Sequence, residues 1–102
     1  MPADLVPLPD GTVDILLTPE AARHVVFVAR AHQDLQFWFV SHSPPGHDGH
    51  YVARPLSTQQ ARVLRMVLRR DTLGELQGAL RWLGLTRTRG RDGSPSILES
   101  WI

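Results

Sequence analysis

Three histidines and an aspartate fall within nine residues, in His42-Ser-Pro-Pro-Gly-His47-Asp48-Gly-His50, and imidazoles with a carboxylate can hold zinc. A structural zinc site, however, needs firm ligand spacing on ordered elements. Two prolines and two glycines between Ser43 and His50 instead describe a mobile loop over 43–49, so no metal is expected. His24 and His32 are more than two turns apart on a helix and cannot share a ligand as an i, i+4 pair would. For catalysis the chain offers no G-x-S-x-G elbow, no phosphate loop and no H-E-x-x-H. Lacking cysteine, it has neither a thiol nucleophile nor a disulfide framework. The expectation is a non-enzymatic protein without cofactor.

Arginine supplies the other chemistry. Lysine is absent, so all 11 basic side chains are arginines, set against 10 acids for a formal net charge of +1. GC-rich coding accounts for such a bias. Physically, it makes every cation a planar fork that can grip phosphate or carboxylate in bidentate fashion. Arg62, Arg65, Arg69, Arg81, Arg87, Arg89 and Arg91 crowd the second half, where fewer acids oppose them, and are the candidate nucleic-acid-binding residues. The competing reading is that they form the solvated side of helices, where surface pairs contribute ~0 to 1 kcal/mol.

The elements that position these groups follow from period and caps. Residues 1–11 carry three prolines and read as an extended lead-in ending in the Asp10-Gly11 turn. Thr12 to Leu17 suits a strand. Thr18, Pro19 and Glu20 then mark a helix start, with Ala21, Ala22, Val25, Val26, Val28 and Ala29 on one face and Arg23 and Arg30 outside it, running to about His32. The rival reading makes "HVVFV" a strand. Leu35 to His42, nearly all apolar, predicts a strand covered on both faces, and His50 to Pro55 its hairpin partner.

From Ser57 to Arg70 the pattern predicts a helix. Ser57 with Gln60 matches a capping box, Ala61, Val63, Leu64, Val67 and Leu68 fall on one face, and Arg62, Arg65 and Arg69 stack on the other. Thr72 with Glu75 opens a further helix with Leu73, Leu76, Ala79, Leu80 and Leu83 inward and Gly84 at its end. The tail admits two readings. Either "TRTR" and "SILESWI" are strands of a hairpin turning at "GRDG", or Ser94 caps a last short helix.

Two helices with a tight break followed by a basic hairpin resemble part of a winged helix-turn-helix, over about the last 50 residues. The resemblance implies a helix entering the major groove and arginines on phosphate. It departs from that architecture in the very short turn at Arg70-Asp71. The expected fold is therefore α+β: a single small domain over 1–102, with a short β-sheet, three helices, a possible C-terminal β-hairpin and a winged-helix-like second half. Possible partners are nucleic acid or a second copy of the chain. As an alternative function, Phe27, Trp38, Trp82 and Trp101 with nearby arginines have the composition of a protein-interaction surface. No apolar run reaches the ~18 to 20 residues of a membrane span, and the N-terminus lacks a secretory pattern, so no membrane partner and a cytoplasmic location are expected.

Overall fold

The computed structural model describes residues 4–88 and 97–102. In chain order, the elements are β1 (Asp4–Pro7), β2 (Val13–Leu16), α1 (Pro19–Ala31), β3 (Gln36–His42), β4 (Tyr51–Ser57), β5 (Arg62–Val63), β6 (Met66–Arg70), α2 (Leu73–Trp82) and β7 (Glu99–Trp101). The strands make one mixed sheet in the order β1-β2-β6-β4-β3-β7, with β5 added to β4. Among the described residues only the β2–β6 pairing is parallel.

Both helices begin where their capping residues stand. The Thr18 hydroxyl accepts the Ala21 N–H at 3.1 Å with Pro19 in the first turn, and the Thr72 hydroxyl accepts that of Glu75 at 3.1 Å. Gly84, at φ +83°, follows α2 in the left-handed conformation that ends a helix. Ala22 and Val26 of α1 and Leu76 and Leu80 of α2 pack with Trp38, Val40, Ala53, Leu68 and Trp101. Strand register puts those five on one face, so the two helices form a single layer on one side of the sheet.

The other side is covered in part by the 43–50 loop, which bends back onto β1 and β2. Gly46 turns there with φ +87°, and a Cβ at this position would come within 2.5 Å of Leu8 Cδ2. Val52, Val67 and Asp14 are buried on this side.

Two expectations are overturned. The described chain has two helices and a seven-stranded sheet, not three helices, and it has no winged-helix layout. Ser57 ends β4, and Thr58 to Arg70 is a turn followed by β5 and β6. The cap signal there is real but closes only that turn. Ser57 Oγ accepts the Gln60 N–H at 3.1 Å while donating to Asp34, and Asp34 also takes the Gln59 N–H at 2.9 Å. Ala61 then adopts φ 54°, which halts helical propagation. Val67 and Leu68 are adjacent and both buried because β6 lies between the helical layer and the loop-covered side. Residues 4–7 of the extended lead-in are a strand paired with β2. In the tail, Thr86 exchanges backbone hydrogen bonds with Ile102, and Thr88 N–H donates to Ser100. The proposed tip of that hairpin, with Arg89 and Arg91, lies outside the described residues.

Candidate functional site

On the outer surface of the helical layer, burial of Ala22, Val26 and Ala29 turns Arg23, Phe27 and Arg30 outward. Phe27 is 67% exposed and Trp82, at the end of α2, is 50% exposed. The Arg23 guanidinium carbon stands 5.2 Å from the centre of the Trp82 ring, within the range of a cation–π contact. Arg30 is fixed by a 3.1 Å hydrogen bond from Nη2 to the Gly84 carbonyl, which ties α1 to the end of α2 beside the tryptophan. Two large aromatic groups are thus held in solvent by elements whose opposite faces are anchored in the core. Of the four aromatics read from the sequence, Trp38 and Trp101 are core residues, and Phe27 and Trp82 form the surface.

The remaining arginines meet separate partners. Arg62 donates through Nε to Gln60 Oε1 at 3.0 Å, and Arg65 lines a groove with Arg54 between the 43–50 loop and the β5–β6 connection. Arg69 projects toward the loop side, with Nη1 3.5 Å from His47 Nδ1. Arg81 lies 5.6 Å from the Trp101 ring, and Arg87 pairs with Glu99 at 3.0 Å. Arg62, Arg65 and Arg69 share no helical stripe, because no helix carries them. Arg81 and Arg87 both rest on side chains of β7.

The histidines of the loop separate as well. His42 stacks on Tyr51 at 4.3 Å, and His50 Nδ1 lies 2.9 Å from Asp71 Oδ1 without hydrogen-bond alignment. His47 is buried and meets Asp14 Oδ2 at 2.9 Å. Among the described residues no group of three or more potential ligands could hold a metal ion. Asp14, fully buried, also receives two hydrogen bonds of 2.6 Å from the fork of Arg54. Burial alone would push the Asp14 carboxyl up, but the hydrogen bonds from Arg54 and His47 and the Arg54 charge more than offset it, holding the group below the usual carboxylate range. An Asp–His pair can orient a general base, yet here the other imidazole nitrogen faces the Arg69 guanidinium. Among the described residues no hydroxyl bonds to His47. The arrangement therefore works as a clamp, fixing the 43–50 loop to β2 and β4.

No family model, characterised protein or solved structure matches this chain. The functional reading accordingly rests on the surface itself. Phe27 and Trp82 were legible as large aromatics, but their exposure follows from which helical face the sheet claims. The Asp14–His47 and Asp14–Arg54 pairings join positions 33 and 40 residues apart and left no local signal. Among the described residues no helix is long and apolar enough to cross a membrane.

Proposed function

We propose that this protein is a non-enzymatic protein-interaction module whose binding surface is the Arg23–Phe27–Trp82 patch. The observation that carries this reading is the exposure of Phe27, one helical turn from Arg23 on α1, and of Trp82, whose ring the Arg23 guanidinium approaches. Tryptophan, other aromatics and arginine dominate interface hot spots, because they bury much area with few rotatable bonds. Arg23, Arg30 and Arg81 have no carboxylate partner among the described residues, while Glu20 is the acid of α1. The favoured partner is therefore an acidic segment with an apolar face, steered by charge and anchored by the two aromatics.

Selection of peptides from a displayed random library, with counter-selection against Phe27→Ala/Trp82→Ala protein, tests this reading. The expected result is enrichment of acidic peptides containing aromatic or aliphatic anchors that bind only the unaltered protein. Enrichment indifferent to the two substitutions refutes it. Nucleic-acid binding through Arg62, Arg65 and Arg69 is the competing reading. It requires duplex or single-stranded DNA to bind with strong salt dependence and to lose affinity when these arginines are replaced.

A further inference from the structure

A groove of about 680 Å³ opens on the loop-covered side of the sheet, away from the helices. Three short segments frame it: the β1–β2 turn with Leu8 and Asp10, the Pro44-Pro45 stretch of the 43–50 loop, and the β5–β6 region with Val63 and Arg65. Each is held in place. The Leu8 N–H donates to the Thr12 carbonyl at 2.8 Å across the turn, the His47–Asp14 contact pins the loop, and the Leu64 N–H donates to the Pro55 carbonyl at 2.9 Å. The groove is therefore preformed, and its volume lies within the ~300 to 1,000 Å³ usual for small-ligand sites.

Its walls are apolar and its rim carries two opposite charges. Arg54 also borders the groove, but its fork is already committed to Asp14. Arg65 is exposed and forms no ion pair among the described residues. Asp10 is exposed as well. Its Oδ1 accepts the Thr12 N–H at 3.0 Å and the Thr12 hydroxyl at 2.5 Å, and its Oδ2 has no hydrogen-bond partner among the described residues. Those hydrogen bonds, with a smaller contribution from the Arg65 charge, hold the Asp10 carboxyl below the usual carboxylate range, so it is ionised at neutral pH. The two charges are close enough to act on each other, yet they do not pair.

A simple anion would gain Arg65 and meet repulsion from Asp10, and a simple cation the reverse. A neutral apolar molecule would strip water from both groups without replacing it. Only a ligand with both charges side by side on an apolar body suits rim and walls together.

We propose that this groove binds a free α-amino acid with a large apolar side chain, its carboxylate on the Arg65 fork, its ammonium on Asp10 Oδ2 and its side chain against Leu8, Pro45 and Val63. The site lies across the sheet from the Arg23–Phe27–Trp82 surface and does not depend on it.

Titration of the full chain with L-phenylalanine, followed through the backbone amide resonances of Gly11 and Val63, tests the assignment. The expected result is saturable shifts at both, with affinity on the order of millimolar for so small a ligand. 3-Phenylpropionate and 2-phenylethylamine keep the ring and one charge each, and both should bind about tenfold more weakly, the effect of one lost charge-assisted hydrogen bond. Asp10→Asn, whose amide oxygen can still accept from Thr12, should weaken phenylalanine binding about tenfold while strengthening that of phenylpropionate, because the repulsion is gone. Arg65→Gln should weaken both. No saturable shift up to about 50 mM would overturn the proposal. So would equal affinity for phenylalanine and phenylpropionate, or phenylalanine binding indifferent to the two substitutions.

Discussion

Replacing Asp14 by Asn keeps the shape of a fully buried side chain but removes its charge from between the Arg54 fork and His47. Breaking a buried pair by removing one partner costs about 3 to 5 kcal/mol, because the survivor keeps its desolvation penalty. The Arg54 side chain is 20% exposed and recovers some hydration, so the lower end applies, about 3 kcal/mol. At roughly 4 °C or more per kcal/mol for a domain of this size, Tm should fall by about 12 °C or more. Urea unfolding at pH 7 measures the loss directly. Its pH dependence supplies a second check. A carboxyl held below its ordinary value stabilises the fold above the unfolded pKa of about 3.9, and that contribution disappears as pH falls through the folded value. The gap between wild type and Asp14→Asn should therefore narrow in acid, as pH falls from the unfolded carboxyl pKa through the folded value. A variant within 1 kcal/mol of wild type at pH 7, or a gap that persists undiminished below the folded carboxyl pKa, would refute the clamp.

Two backbone predictions follow from the loops. Gly46→Ala forces a Cβ against Leu8 at a positive φ and should destabilise by about 1 to 3 kcal/mol in the same unfolding assay; an unchanged midpoint would mean the loop does not press on β1. Ala61→Gly relieves a left-handed alanine and should stabilise by roughly 0.5 kcal/mol after the entropic cost of glycine, whereas a loss of stability would contradict the turn assigned between β4 and β5.

How far the sequence could be read depended on whether the deciding contacts were local. Thr18-Pro19 and Thr72 with Glu75 announced both helices, because caps act within one turn. The β3–β4 hairpin was legible in its aromatic and β-branched run. Ser57 to Arg70 misled, since a short apolar run fits a helical face as well as a strand covered on both sides. What decided it was distant: Asp34 capturing the turn, and the 43–50 loop closing over the side of the sheet where Val67 lies. The histidine cluster dissolved for the same reason, because His47 finds its partner on β2 rather than among its neighbours.

The central claim concerns the outer helical surface, and calorimetric titration of a selected acidic aromatic peptide into wild-type and Phe27→Ala/Trp82→Ala proteins tests it most directly. Truncating two hot-spot aromatics should reduce affinity about a hundredfold or more, in a variant that remains folded, though less stable, because Trp82 is half buried. Equal affinity for the two proteins, with both fully folded, would contradict the account.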